Sequence, residues 1–267
     1  MSWRSTLRAL PTMAKIGFEE AVAYRAELLV WMLSTTMPLV MLALWSAVAA
    51  DAPVGRFGQA EFTAYYLLMF IARQLTGAWA AWEMNFEVRN GSLSQRLLRP
   101  ISPIVAYAME NLSALPLRSL VAVPVAGIAL FTVGRATLAG DWRTWALVPL
   151  TLAGGWAITF LFNIAIGALS LFTESSLKLA EIYFTLFAVF SGYLIPVELF
   201  PPFFRSIVEW LPFRFQVGLP VELATNAHPF PEALRLVAIQ WAWVTAMAAG
   251  TAAIWKSGLR RYAAYGG

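Results

Sequence analysis

Between Leu28 and Ala50 the chain carries no charged residue at all. A helix needs about 20 mainly apolar residues to cross the hydrocarbon core of a bilayer, and this run supplies them. Composition agrees. The chain is 60% hydrophobic and 13% charged, where a soluble domain carries about 25% charge. Five further apolar stretches follow. Phe62–Trp82 holds Arg73 and Gln74 inside it, and Tyr107–Val133 is charge-free only from Ser119. Thr144–Phe172 is long enough to tilt. Leu177–Val197 is short in its charge-free part, from Ile182, and Ala233–Trp255 is the last. The pattern predicts an all-α integral membrane protein with six transmembrane helices, in one domain over residues 1–267. The mixed-charge approach to Leu28 shows no secretory leader pattern, so the first span reads as retained.

The Lys and Arg residues set an orientation. With both termini inside, the inner side collects Arg4, Arg8, Lys15, Arg25, Arg89, Arg96, Arg99, Lys178, Lys256, Arg260 and Arg261. The outer side collects Arg56, Arg135, Arg143, Arg205, Arg214 and Arg235. The excess predicts N and C termini in the cytoplasm, with residues 256–267 as a cytoplasmic tail. The pI near 9.6 comes from these flanking charges and not from a basic stripe beside stacking aromatics, so no nucleic-acid partner is expected.

Residues 1–27 form an approach to the first span. Trp3, Leu7, Leu10, Met13 and Ile16 recur at three- and four-residue steps, away from Arg4, Arg8, Lys15 and Glu19. That spacing predicts an amphipathic helix in contact with membrane lipid, split or kinked at Pro11. An ordinary helix packed on the protein's own loops is the alternative. Residues 196–232 are apolar yet broken by seven prolines from Pro196 to Pro231. No spanning helix survives that spacing. Short helices at Phe203–Leu211 and Pro220–Thr225, outside the membrane or re-entrant, are the expectation between spans five and six.

The stretch FEVRNGSLSQRLLRP, Phe86 to Pro100, interrupts the apolar pattern. Asn90-Gly91 signals a turn. Ser92 and Gln95 have capping-box spacing, and Pro100 stops the helix. Leu93, Leu97 and Leu98 are expected on one face, with Gln95, Arg96 and Arg99 elsewhere. A plain connector needs only a few polar residues. A capped, rigid rod suits docking on a cytoplasmic partner.

Two passages, FEVRNGSLSQRLLRPIS and SGYLIPVELFPPFFRSIVEWLPFRFQVGLPVEL, resemble the membrane subunit of an ABC transporter of the ABC-2 type, in the exporter subgroup whose ATPase is a separate chain. The similarity covers essentially the whole length. It implies a dimer of six-span permeases, with a second copy or a related permease, each resting on an ABC ATPase subunit. It implies a coupling helix at Ser92–Arg99, with Glu87, Arg89, Asn90, Ser92, Leu93, Gln95, Arg96, Leu97 and Arg99 as ATPase-coupling residues. It places an outer gate at Phe203, Phe204, Phe213 and Phe215. It implies no cofactor bound by this chain, with ATP and Mg on the ATPase, in the bacterial cytoplasmic (inner) membrane. The chain contains no G-x-x-x-x-G-K-[ST] phosphate loop of its own.

Polar residues inside or beside the spans are the remaining candidates. A charge at the bilayer centre costs about 2.5–3.5 kcal/mol on insertion scales, so it faces protein or water. Arg73, Gln74, Glu83, Asn85 and Asn163 are assigned to a translocation path or a dimer interface, with structural pairing as the plainer reading. Glu83, Asn85 and Glu87 form an acidic entrance or a solvated helix end. His228 reads as a solvated turn residue. A membrane-embedded lipid-modifying enzyme would need a catalytic cluster; one histidine and no cysteine argue against it. An ion-coupled secondary transporter would show repeats and several midplane charges; no repeat is visible.

Overall fold

The computed structural model describes residues 3–26, 30, 33, 35–133, 137–173 and 176–265. Among them every regular element is helical, and the one extended pairing is an isolated bridge between Val54 and Phe57. The helices are α1 (Trp3–Ala23), α2 (Met37–Val48), α3 (Gln59–Thr76), α4 (Ala80–Arg89), α5 (Leu93–Leu97) and α6 (Pro103–Ser113). They continue as α7 (Leu115–Val133), α8 (Trp142–Leu169), α9 (Ser176–Phe190), α10 (Pro202–Val208), α11 (Arg214–Ala224) and α12 (Phe230–Tyr265).

Among the described residues two helices are long and apolar enough by themselves to cross a membrane, Trp142–Leu169 and Phe230–Tyr262. At 1.5 Å per residue, the 28 residues of α8 exceed a hydrocarbon core of about 30 Å. The other expected spans correspond to shorter or broken helices. Part of the Leu28–Ala50 run lies outside the described residues, and its described helix is α2. The second stretch is not one helix: α3 ends at Thr76 and α4 starts at Ala80. The third divides between α6 and α7 at Ala114. The fifth ends at Phe190, short of Val197. The sixth continues far past Trp255, so most of the expected tail is helix.

Proline predicts breaks less well than expected. α1 runs through Pro11, and α11 runs through Pro220, which was expected at a helix start. In α11 the missing N–H of Pro220 leaves the carbonyl of Gln216 without its usual helical partner. That carbonyl lies against Gly155 of α8, where any Cβ would stand 2.2 Å away. Glycine at this point permits the close approach of the two backbones.

α8 is the hub, packing against α12, α11, α4 and α9. Three apolar clusters surround it. Phe62, Tyr65, Tyr66 and Met69 of α3 meet Tyr183 and Phe187 of α9 and Val217 and Val221 of α11. Met84, Leu93, Tyr107, Phe160, Ile164 and Trp255 tie α4, α5, α6, α8 and α12 together. Ile158, Phe215, Leu219, Leu223 and Val237 fill the space between α8, α11 and α12. The turn after α9 is pinned to α3, where the Tyr65 hydroxyl donates to Gly192 O (2.9 Å) and the Tyr66 hydroxyl to Leu194 O (2.8 Å).

All eleven residues of α11 are buried, including three polar ones. Arg214 donates to Glu222 from Nε (3.0 Å) and Nη2 (2.6 Å), and His228 Nε2 stands 2.9 Å from the same carboxylate. His228 is therefore no solvated turn residue; it helps to compensate a buried acid. Gln216 Oε1 accepts from Tyr183 (2.7 Å) and Thr159 (3.1 Å). Burying ionic groups is costly unless they are paired and hydrogen-bonded, and this set meets that condition. The segment is thus covered by the protein's own helices on every side of α11.

Candidate functional site

The break between α3 and α4 organises the first half of the site. Ending one helix and starting another leaves carbonyls and N–H groups without partners. Side chains of neighbouring helices supply them. Arg118 of α7 donates from Nη1 to Gly77 O (2.8 Å) and Gln74 O (3.4 Å). Asn111 accepts from Trp79 N (3.3 Å), and Asn163 of α8 accepts from Ala81 N (3.4 Å). Asn163 thus sits at the break. Asn85 lies apart from it, donating to Ser176 Oγ (2.6 Å) in a buried contact with α9.

Beside the break opens a cavity of about 820 Å³. Its wall includes Arg73, Gln74, Trp79, Trp82 and Arg118 on one side, and Phe184, Phe187 and Tyr193 on another. Glu20 of α1, Glu83 and Glu110 also line it. Of the expected path residues, Arg73, Gln74 and Glu83 meet here; Asn85 and Asn163 do not line it. The Arg73 guanidinium lies 5.0 Å from the Phe187 ring centre, and that of Arg118 lies 4.1 Å from Trp79. Both are cation–π distances. Gln74 donates to Thr35 Oγ1 at 3.0 Å.

The second half lies at α5. Asn90 and Gly91 form the expected turn, with Gly91 at φ +78°, where glycine carries no Cβ penalty. The expected Ser92–Gln95 capping box is absent: Ser92 has no side-chain cap bond. Asn90 Oδ1 instead accepts from Ser92 N (2.9 Å) and Ser92 Oγ (2.6 Å), an Asx-type turn that outcompetes the box. The faces also differ from expectation. Leu93 is fully buried and Leu97 packs on the same cluster, but Leu98 is 87% exposed. The apolar face of α5 is thus taken by the chain's own helices. Phe86, Arg89, Gln95, Leu98 and Arg99 form the outward surface.

Arg96 turns inward, contrary to expectation. Its Nη2 donates to Glu87 (2.5 Å) and Glu83 (2.9 Å) of α4, and its Nη1 to Glu110 of α6 (2.8 Å). Tyr107 completes the group, donating to Glu87 at 2.6 Å while its ring lies 4.3 Å from the Arg96 guanidinium. One guanidinium cannot neutralise three carboxylates. Glu83, just beyond the stretch ending at Trp82, responds: burial and then the neighbouring Glu110 push its carboxyl well up from the usual range. Glu83 and Glu110 belong to both halves, touching Arg96 and lining the cavity. The long-range meeting of Glu83, Glu110 and Arg96 had no signature in sequence spacing. Arg118, just before the charge-free part of the third stretch, likewise has no spacing signature for its place at the break.

The expected gate residues do not form one cluster. Phe203 and Phe204 of α10 are exposed and pack edge-on, 5.5 Å apart. Phe213 stacks on Phe162 at 5.6 Å, and Phe215 is fully buried among α8, α11 and α12.

The chain matches the family model described as ABC-2 family transporter protein over residues 29–266. Among curated proteins, none matches it. Family membership accounts for a helical, strongly apolar fold, as expected of a transport subunit. With nearly its whole length covered by the match, this chain belongs to the ABC-2 transporter family as a transmembrane permease.

Proposed function

We propose that the chain is the permease half of an ATP-driven exporter. It spans the bacterial cytoplasmic membrane six times, with both termini in the cytoplasm and α1 at the inner interface. It pairs with a second permease copy or a related chain. ATP and Mg are held by separate ABC ATPase subunits that dock on the outward surface of α5. A small organic or amphipathic compound, or a lipid-like molecule, passes outward by way of the cavity beside the α3–α4 break.

One observation carries this reading. Arg96 joins the short helix α5 to Glu83 and Glu110, and those two carboxylates line the cavity. A displacement of α5 therefore acts directly on the cavity wall. The anchoring of Leu93 and Leu97 keeps that displacement from being absorbed locally. The exposed Phe86 and Leu98 give an ATPase groove apolar contacts to grip, with Arg89 and Arg99 beside them.

Copurification of the chain with the products of neighbouring reading frames, followed by reconstitution in liposomes, tests the proposal. An ATPase subunit is expected in the complex, and ATP is expected to drive accumulation of substrate. Absence of any ATPase subunit, together with transport indifferent to ATP, would overturn it.

A further inference from the structure

The cavity holds two arginines, Arg73 and Arg118, that form no salt bridge among the described residues. A Cβ built on Gly77 would stand 3.4 Å from Nη1 of Arg73 and 3.4 Å from Nη1 of Arg118. The two guanidinium groups are therefore no further apart at these atoms than twice that distance. Arg118 is 6% exposed. Of the three carboxylates that line the same cavity, Glu83 and Glu110 are bound by Arg96, and Glu20 forms no salt bridge with either arginine. The cation–π contacts and the two carbonyls at the break ease the cost of burying these charges but neutralise neither.

Two neighbouring guanidinium groups present forked donors matched to the oxygens of a phosphate or carboxylate. Beside them the wall is aromatic, with Trp79, Trp82, Phe184 and Phe187. The volume of about 820 Å³ lies within the range of sites that enclose a small ligand. We infer that Arg73 and Arg118 form a binding site for the anionic group of an amphiphile, a phosphate- or carboxylate-bearing compound whose apolar part rests on the cavity aromatics. The inference rests on the permease reading for its purpose, because it names the substrate class of that cavity. The binding itself is separable from transport.

The full-length chain in maltoside detergent, without ATP or ATPase, is titrated with lauryl phosphate, with inorganic phosphate and with dodecyltrimethylammonium. Trp79 and Trp82 line the cavity, so tryptophan fluorescence reports occupancy. Lauryl phosphate is expected to bind saturably and the ammonium compound not to compete. Charge-assisted hydrogen bonds are strong enough that Arg73→Gln should weaken binding about tenfold or more, with Arg73→Lys retaining part of it. Arg73 is the primary variant because Arg118 also holds the backbone of the break; helical content and elution volume verify the fold of each protein. Competition by inorganic phosphate at equal affinity supports the anion site and assigns it to a free anion. Binding of the amphiphile alone assigns it to a lipid-like substrate. Equal binding of the ammonium compound at this site, unchanged affinity in Arg73→Gln, or no saturable binding would overturn the inference. Those results would leave ATP-driven transport standing, and a missing ATPase would leave anion binding standing.

Discussion

Replacing Arg96 by methionine removes the one cation from a group of three carboxylates. Arg96 and Glu87 side chains are each 13% exposed, while Glu83 and Glu110 are 30% and 31% exposed. Breaking a fully buried ion pair by deleting one partner costs about 3–5 kcal/mol, and an exposed pair is worth at most about 1 kcal/mol. The intermediate burial here places the loss at about 2–3 kcal/mol, dominated by Glu87, whose other oxygen accepts only from Tyr107 in this group. Glu83 should behave differently. Its carboxyl is pushed toward the neutral form, so Glu83→Gln leaves the charge balance nearly unchanged and should cost under about 0.5 kcal/mol. Because the Glu83 carboxyl is already held toward its neutral form, the double variant should lose about as much as Arg96→Met alone. Equilibrium unfolding in mixed micelles, followed by tryptophan fluorescence, measures these three proteins and Glu87→Gln. A neutral Arg96→Met, or a Glu83→Gln as damaging as Glu87→Gln, would refute the reading of this group as over-supplied with negative charge.

Leu97→Gly or Leu97→Pro should leave membrane insertion intact while ATP hydrolysis continues without transport, since α5 loses its anchor; normal transport per ATP in reconstituted vesicles would return the segment to a plain loop. Stability should depend on pH through Glu83. Its folded-state pKa is raised, to about 8, so the native state binds the extra proton. Its contribution is therefore fully present below the usual carboxylate range and is lost as pH rises toward 8; Glu83→Gln should flatten that slope in unfolding titrations between pH 5 and 8, and a slope of opposite sign would contradict the assignment. Glu222→Ala leaves the Arg214 guanidinium buried without its acid and should cost about 3–5 kcal/mol, read in the same unfolding assay; a loss near zero would mean that water reaches α11.

How much of this was legible beforehand varies element by element. The Asn90-Gly91 turn followed from local chemistry, and the turn formed with Gly91 in the left-handed region. The cap that follows did not, because Ser92 had two local acceptors within reach and Asn90 won. Leu98 departs from the expected face because five residues of helix are too few for periodicity to choose one. Helical spacing sets Arg96 off the leucine face; three glutamates brought from α4 and α6 turn it inward.

Sequence by itself determined the solvent this chain is built for, its helical class and its family, since these depend on the number of apolar residues in a row and the placement of charge between the runs. Only the tertiary structure decided that the second apolar stretch breaks at Gly77–Trp79, that α11 is wholly buried and that one guanidinium gathers three carboxylates. The physical reason is one of range. Hydropathy is summed along the chain, whereas the cost of an unpaired carbonyl or charge is settled by whichever groups arrive from distant helices. At the break those groups are Arg118, Asn111 and Asn163.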